Sequence, residues 1–281
     1  MSEHLPPAGL NIRGTVLVVP GRGETALTYA RFGRRLAADA YHVHILPTVP
    51  VSSGALATLN EVLTTAAAGA DPAGPLVLIG SDTGAVLLAA LLGASAGASP
   101  AAPVDASPGS PPGPSLGSPP GFPAGASLGS PARPVWAPAG VVLAGLPGHE
   151  RRHQGEWEAE LDARSHCPVH RGLLTDDTAV TRGALSTAVP ADLLDAAYGA
   201  ASPVPHLLLI GESDPLADRD AVAGLAKSLP AARLATVRDA HHDVLNDTSH
   251  RSVAAEIITF LESLRSGPPI RPFVTVESST W

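Results

Sequence analysis

Short apolar runs alternate along the chain with segments of helical spacing, and this alternation predicts the class of fold. Apolar runs suited to strands that are buried on both faces lie at 14–19, 41–46, 75–79, 140–144, 205–210 and 233–237. Helices are predicted between and after them, at 26–38, 56–68, 84–92, 219–228 and 252–264. Repeated strand-then-helix order is typical of an α/β protein with a doubly wound, mostly parallel sheet.

Residues 93–138 interrupt this pattern between a helix and the strand at 140–144. Ser, Pro, Gly and Ala dominate the segment, and Ser-Leu-Gly-Ser-Pro occurs at 115–119 and again at 127–131. Such a composition buries too little apolar surface to offset the entropy that is lost on ordering. We therefore predict a disordered insertion that interrupts the domain without dividing it, so that residues 1–281 form a single domain.

A second segment of different character follows at residues 150–200. It is richer in His, Arg, Asp and Glu than its surroundings, and helices are predicted within it near 156–163 and 191–198. The α/β alternation resumes after it. We predict that this segment is a small inserted cap over the carboxyl edge of the sheet, which is where open α/β sheets bind ligands.

The strand at 75–79 leads through Gly80-Ser-Asp-Thr-Gly84 directly into a helix. A strand that turns at once into a helix strains the central residue, and the flanking glycines relieve the crowding around it. We expect Asp82 to project its side chain into a site that the positive helix N-terminus favours for negative charge. Ser81 lies one position earlier, where the turn should direct its side chain elsewhere.

Two further loops carry residues of the same kind of chemistry. Asp214 lies in the loop after the strand at 205–210, and His242 lies in the loop after the strand at 233–237. The resulting order along the chain is nucleophile, acid and histidine. This is the order of the catalytic triad on an α/β-hydrolase scaffold.

These motifs resemble those of the α/β-hydrolases, in the branch of the monoacylglycerol lipases and lysophospholipase-like enzymes. That branch reads His-Gly-x-Gly-Glu-His where this chain has Pro20 to Thr25, and Gly-x-x-Asp where it has Gly211 to Asp214. It reads His-Glu-x-x-Asn-Glu where this chain has His242 to Asp247. The similarity extends over the chain outside the two insertions. It implies that the protein has an α/β-hydrolase fold and acts as a hydrolase.

The resemblance also implies roles for individual residues. It places Asp82, Asp214 and His242 in the triad, and the backbone N–H groups of Arg22 and Thr83 in the oxyanion hole. No cofactor is expected. For substrate binding we single out Tyr198, the tyrosine of the predicted cap, and Ser81.

The chain departs from the family pattern in three ways. Asp82 stands where most relatives carry a serine nucleophile, Pro20 and Thr25 replace the two histidines of their motif, and no N-terminal β-hairpin is predicted. A serine must lose a proton before it attacks, whereas an aspartate with an ordinary pKa of about 3.9 is already ionised at neutral pH. Attack on an acyl carbon would leave a mixed anhydride, whereas attack on an epoxide or carbon–halogen centre leaves an ester that water can cleave. We therefore predict hydrolysis of a small or apolar substrate, at an ester- or epoxide-type bond.

Several other interpretations stay open from the residues alone. Asp82 could be a helix N-cap, which is a favoured position for aspartate. Ser81 could serve as the nucleophile of a conventional esterase, and the scaffold could also belong to a non-catalytic binding protein. Asp218 is expected to cap the following helix rather than to act as the triad acid, and Glu24 is expected to be structural.

The region of the predicted cap also contains a group of potential metal ligands. They are His149, His153, His166, Cys167 and His170. Histidine pairs with helical spacing can bind zinc, but no firm helix is predicted across the first pair. Surface histidines are the simpler interpretation, and we predict no metal site. His241, beside His242, is likewise expected to be exposed or to support the site from outside.

Composition bounds the partners and the compartment. The net charge of −8 argues against a nucleic-acid partner, which requires a basic surface. The apolar stretch at 75–94 contains Asp82 near its middle, so no stable membrane insertion is expected. A single cysteine, Cys167, and the absence of a recognisable signal peptide fit a cytoplasmic protein. The expected partner is a small-molecule substrate, and the oligomeric state is left open.

Overall fold

The apolar runs form the strands of one sheet in the computed structural model, which describes residues 1–71, 74–97, 134–275 and 277. The strands of the described residues are β1 (Ser2–His4), β2 (Gly14–Val19), β3 (Tyr41–Ile45), β4 (Leu76–Ser81), β5 (Gly140–Ala144), β6 (His206–Gly211) and β7 (Ala232–Val237). The α-helices are α1 (Ala30–Ala38), α2 (Ala55–Ala67), α3 (Thr83–Gly97), α4 (Trp157–Arg164), α5 (Pro168–Asp176), α6 (Ala191–Tyr198), α7 (Arg219–Ser228) and α8 (His250–Arg265). The predicted alternation of strand and helix is confirmed.

The sheet has the order β1-β3-β2-β4-β5-β6-β7, and β2 to β7 are parallel. From β2 the chain first adds β3 on one side and then crosses back to add β4 on the other. The loops that leave β2 and β4 therefore run in opposite directions and open a crevice between them. Ligands of doubly wound sheets bind in this kind of crevice.

Helices cover both faces of the sheet, which explains why its strands are apolar on both sides. One core cluster joins β2 and β3 to α1 and α8, and the other joins the opposite face to α2, α3, α6 and α7. The helix α3 is apolar around its whole circumference because α2 and α6 pack against it in addition to the sheet. None of the described helices combines the length and the apolarity that crossing a bilayer requires.

The boundaries of the predicted insertion at 93–138 need correction at both ends. The helix α3 extends through Gly97. Trp136 is 1% exposed and donates from its indole N–H to Oδ1 of Asn60 at 2.8 Å, so it belongs to the core. The remaining residues of the predicted insertion, 98–133, lie outside the residues that the structure describes.

The predicted cap at 150–200 is divided in the structure. Helices α4 and α5 form a small cluster in which Leu161, Leu174 and Val180 pack together. Helix α6 packs instead against α3, within the helical layer of the main domain. Leu194, on α6, is fully buried in the core cluster of that layer, so apolar contacts draw this end of the segment onto the sheet.

The N-terminus contributes a strand that the sequence pattern does not predict. Residues of β1 pair antiparallel with β3, with Ser2 opposite Ile45 and Glu3 opposite His44. No hairpin is formed, but the open edge of β3 is covered. A three-residue strand with polar side chains lacks the apolar alternation from which strands are recognised.

Candidate functional site

The turn between β4 and α3 holds Asp82 in a strained conformation. Asp82 has φ of 47°, in the left-handed region that non-glycine residues rarely adopt. A Cβ atom at Gly84 would lie 2.2 Å from the carbonyl oxygen of Val19, and one at Gly80 would lie 2.6 Å from the backbone of Ala85. Only glycine fits at either position, so the tight turn that places Asp82 beside the crevice depends on both.

Of the three residues predicted as a triad, His242 lies within hydrogen-bonding distance of both carboxylates. Nε2 of His242 is 3.2 Å from Oδ1 of Asp82, and Nδ1 of His242 is 3.0 Å from Oδ2 of Asp214. Oδ1 of Asp214 also accepts from the N–H of Leu216 at 2.8 Å, which fixes the carboxylate in its loop. All three side chains are buried. Each comes from the carboxyl end of a different strand, so the sheet itself brings them together.

Arg22, in the loop after β2, binds both oxygens of the Asp82 carboxylate. Its Nε donates to Oδ2 at 2.9 Å and its Nη2 donates to Oδ1 at 2.8 Å. Its backbone N–H, the predicted oxyanion donor, also donates to Oδ2 at 2.8 Å. The remaining guanidinium nitrogen, Nη1, donates to the carbonyl of Thr187. Thr83, the other predicted donor, is the first residue of α3.

The charges around Asp82 set the protonation of the pair that it forms with His242. Burial disfavours the charged carboxylate, but Arg22 and then His242 outweigh it and hold the pKa of Asp82 well below its usual value. Burial alone would lower the pKa of His242, but the charge of Asp214 and hydrogen bonds to Asp214 and Asp82 raise it to about 10. At neutral pH the site therefore contains an ionised Asp82 beside a protonated His242.

Glu24 lies beneath this site in the same loop as Arg22. Its Oε2 accepts from the N–H of Gly21 at 2.7 Å and from the hydroxyl of Tyr29. Its Oε1 is buried and has no hydrogen-bond partner among the described residues. Burial and the nearby charge of Asp243, partly offset by Arg164, raise the pKa of Glu24 to about 7. The expectation that Glu24 is structural stays a prediction. Its buried carboxyl interacts electrostatically with Asp243 and Arg164.

Arg164, the last residue of α4, connects this helix to the loop that carries Arg22. Its Nη2 donates to the carbonyl of Arg22 at 2.9 Å and to Oε1 of Glu160 at 2.9 Å. Its Nη1 lies 3.5 Å from Oδ1 of Asp243, whose other oxygen is 2.8 Å from Nε2 of His170. These side chains are all almost completely buried. Apart from the pair of Glu160 and Arg164 on α4, the network joins residues far apart in sequence, so the sequence pattern does not reveal it.

A cavity of about 740 Å³ opens next to Arg22 and Thr83. It is lined largely by small apolar residues and threonines from three loops, at 22–26, 47–51 and 179–189. Asp82, which is 3% exposed, does not line it. Because Arg22 lines the cavity and binds both carboxylate oxygens, its side chain separates Asp82 from the cavity.

The structure places the two predicted substrate-binding residues away from this cavity. The hydroxyl of Tyr198 donates to the carbonyl of Pro147 at 3.1 Å, and neither Tyr198 nor Ser81 lines the cavity. Ser81 is 3% exposed, and its hydroxyl interacts with the phenol of Tyr29. Asp218 caps α7, because its carboxylate accepts from the N–H of Ala221 at 3.0 Å.

Four of the five potential metal ligands in this region have separate partners, whereas the buried Nε2 of His153 has no hydrogen-bond partner among the described residues. His149 lies 2.8 Å from Asp195, and the ring of His166 stacks on His241 with centroids 3.8 Å apart. Arg31 donates to the sulfur of Cys167. Of the five residues, His170 alone belongs to a group with the spacing of metal ligands within the described part of the chain, together with Glu24 and Asp243.

No family model and no curated protein matches this chain. Solved structures do share its architecture. A monoacylglycerol lipase from Paleococcus ferrophilus has a TM-score of 0.63 at 14% identity, covering 94% of this chain and 97% of its own. A monoglyceride lipase from Saccharomyces cerevisiae, solved as a soluble variant with a substrate analogue, has a TM-score of 0.61 at 14% identity over 93% and 90% of the two chains. A thermophilic esterase has a TM-score of 0.58 at 18% identity over 90% and 92%.

The chain has the α/β-hydrolase fold. The resemblance of its motifs to those of the monoacylglycerol-lipase branch agrees with the similarity to solved lipases and esterases, and the predicted fold class is confirmed. The loops that carry Arg22 and Asp82 flank the crevice between β2 and β4, where such a sheet binds its ligand.

Proposed function

We propose that this protein is a hydrolase that uses Asp82 as a covalent nucleophile, His242 as acid and base, and Asp214 as the residue that orients the histidine. The observation that carries the proposal is the position of Asp82, which lies at the turn and within 3.2 Å of a histidine that Asp214 holds from its other nitrogen. A helix cap requires no such histidine, and the carboxylate of Asp82 binds Arg22 and His242.

The proposed substrate is a small, largely apolar molecule with an epoxide-type electrophilic carbon. Oδ1 of Asp82 forms a bond to this carbon, the carbon–oxygen bond of the ring breaks, and the released oxygen takes the proton from Nε2 of His242. Tyr198 donates to Pro147, so the protonated histidine is the better-placed acid. The products of this step are an ester on Asp82 and a neutral His242.

Water completes the reaction in the second step. Esterification removes the charge of Asp82, which is one of the causes of the raised pKa of His242. The neutral histidine takes a proton from water, and the water oxygen attacks the ester carbonyl of Asp82. The alcohol leaves with the second water proton, which restores the carboxylate and the protonated histidine. The backbone N–H of Arg22 is positioned to stabilise the oxyanion of this step.

Arg22 determines access to the nucleophile in this proposal. Its guanidinium lies between Asp82 and the cavity, and its Nη2 occupies Oδ1, the oxygen that attacks. The guanidinium must leave Oδ1 when substrate enters, while the backbone N–H of Arg22 stays on Oδ2. Nη1 already binds the carbonyl of Thr187, which offers the side chain an alternative anchor at the cavity wall.

The proposal is tested by a single turnover in ¹⁸O-labelled water with an epoxide, followed by mass spectrometry of the peptide that contains Asp82. The label is expected in the Asp82 carboxylate and not in the first-turnover product. Asp82→Asn should abolish turnover, whereas Ser81→Ala should retain both turnover and label. Turnover that leaves Asp82 unlabelled contradicts covalent catalysis by this residue, and loss of turnover in Ser81→Ala supports the serine-dependent alternative.

A second candidate function follows from the saturation of Asp82. Three donors of Arg22 and one nitrogen of His242 surround the carboxylate, an arrangement that a non-catalytic binding protein could retain as a structural ion pair. Arg22→Met removes the guanidinium and keeps the backbone N–H. Turnover of an ester and epoxide panel by the wild type that Asp82→Asn abolishes supports the enzyme. Absence of turnover in both wild type and Arg22→Met supports the binding protein.

A further inference from the structure

The edge of the sheet that is formed by β1 and β3 carries three potential metal-ligand side chains on one face. His42 and His44 alternate with Val43 on β3, so both imidazoles project to the same side of the sheet. Glu3, on β1, is the direct cross-strand partner of His44. One ligand atom from each of these three residues lies within 4.8 Å of the others.

His44 is the unusual member of this group. It is 7% exposed, and neither of its ring nitrogens has a hydrogen-bond partner among the described residues. Burying a polar ring without a partner is costly, and such a group usually indicates a water or an ion that completes the site. The ring centroids of His42 and His44 are 4.1 Å apart, so the unpartnered ring lies directly beside the imidazole that pairs with Glu3.

We propose that Glu3, His42 and His44 form a binding site for a divalent transition-metal ion of the zinc type. Two imidazole nitrogens and one carboxylate oxygen are a ligand set that such ions accept, with a water in the fourth position. The Glu3 side chain is 49% exposed, so solvent supplies that water and the ion has a path to the site.

The geometry requires only a small adjustment to accept the ion. Nε2 of His42 is 2.5 Å from Oε1 of Glu3, whereas two ligands of a tetrahedral zinc ion lie about 3.3 Å apart. The half-exposed carboxylate of Glu3 can move by this amount without disturbing the core. The ion would then join β1 to β3 by ligation, in addition to their backbone pairing.

The other group with metal-ligand spacing, Glu24, His170 and Asp243, is less suited to a cation. Its Asp243 already faces the guanidinium of Arg164 at 3.5 Å and the imidazole of His170 at 2.8 Å. A divalent ion there would be repelled by the buried arginine. No comparable positive side chain is described in contact with His44.

The experiment uses the full chain without a polyhistidine tag, stripped of metal with a chelator and titrated with Zn²⁺ by calorimetry. We expect one equivalent of Zn²⁺ to bind and to raise the Tm. Co²⁺ should replace it and show the visible absorption of a tetrahedral site. Glu3→Gln and His42→Gln should weaken Zn²⁺ binding by about tenfold or more, and His44→Gln should abolish it.

Two control variants separate this site from other histidines. His4→Gln changes the neighbouring residue of β1, whose side chain packs on the opposite face against Gly33, and it should leave Zn²⁺ binding unchanged. His170→Gln, in the buried group, should also leave binding unchanged. Absence of Zn²⁺ binding in the wild type, or loss of binding in His4→Gln or His170→Gln with retention in Glu3→Gln, overturns the proposal. Because Glu3 is half exposed, its variant tests the site even if His44→Gln does not fold.

Discussion

The guanidinium of Arg22 binds both oxygens of the Asp82 carboxylate, at 2.9 and 2.8 Å, across the crevice between β2 and β4. Two-point pairing of this kind fixes the orientation of the carboxylate as well as its charge. The carboxylate of Asp82 is therefore held by the side chain of a residue for which the sequence motif indicated only a backbone donor.

Removal of this guanidinium should change how activity depends on pH. In Arg22→Met the pKa of Asp82 rises, because Arg22 is the main cause of its depression. The acid limb of the kcat/KM profile is then expected to move to higher pH. Arg171 is partly exposed and pairs with Asp162 away from Asp82, so Arg171→Met provides a control in which the limb should not move. An unchanged acid limb in Arg22→Met would contradict a role for ionised Asp82.

Asp82→Asn should lower the pKa of His242. The pKa of His242 is raised to about 10 against the effect of burial by Asp214 and, to a smaller extent, by Asp82. A histidine with a raised pKa stabilises the fold fully below its unfolded pKa of about 6.5, and this stabilisation is lost as pH rises through about 10. Titration of the imidazole by ¹⁵N NMR should show a lower midpoint in the variant. An identical midpoint would show that Asp82 does not interact with the protonated ring.

Glu24→Gln should make the unfolding free energy less dependent on pH, because the wild type loses stability as Glu24 ionises. The folded pKa of Glu24 is about 7, above its ordinary value of 4.5, so the neutral form stabilises the fold below 4.5 and this stabilisation is lost as pH rises through 7. Glutamine keeps an acceptor for Gly21 and Tyr29 but does not titrate. Between pH 5 and pH 8 the wild type should lose about 1–3 kcal/mol more unfolding free energy than the variant. Urea denaturation at both pH values measures this difference, and parallel curves would refute it.

Arg164→Met should destabilise the fold strongly. The substitution leaves the carboxylates of Glu160 and Asp243 buried without their cation, which typically costs about 3–5 kcal/mol. Arg171→Met is the matched control, because its partners Glu158 and Asp162 are exposed and solvent already screens them. Chemical denaturation of both variants should show a large shift in the first and little change in the second. Equal shifts would exclude a special role for the buried network.

Gly84→Ala should disrupt the turn at Asp82. Its Cβ would lie 2.2 Å from the carbonyl oxygen of Val19, which backbone atoms cannot relieve without moving β2. We expect a loss of about 1–3 kcal/mol or more in unfolding free energy, together with loss of turnover. Gly224→Ala on α7 meets no atom within 4 Å and should stabilise the helix by about 0.5–1 kcal/mol. Thermal denaturation distinguishes the two, and a Tm of Gly84→Ala at or above that of the wild type would contradict the packing argument.

The order of elements and the location of the site could be predicted from the sequence, because their determinants are local. Gly80 to Gly84 encodes its turn within five residues, and the loops of Asp214 and His242 each follow an apolar strand. Parallel strands then place the ends of these loops at one edge, whatever the details of packing.

The side-chain partners could not be predicted, because they depend on tertiary placement. Arg22 and Asp82 are 60 positions apart in the chain, and the motif indicated only the backbone of Arg22 as a donor. Helix α6 carries the same local pattern whether it belongs to a cap or to the main layer, and only its packing against α3 decides this. Glu3 and His44 meet because three polar residues pair with an open edge.

Backbone hydrogen bonds join the end of α4 to the loop of His242. The N–H groups of His242 and Asp243 donate to the carbonyls of Ala163 and Arg164 at 3.1 and 2.8 Å. A hinged lid at α4 would displace His242, the proposed general base, each time it opened. Substrate and product are therefore expected to enter and leave through the gap between residues 47–51 and 179–189. The contact between α4 and the loop of His242 is expected to stay intact throughout the proposed reaction cycle.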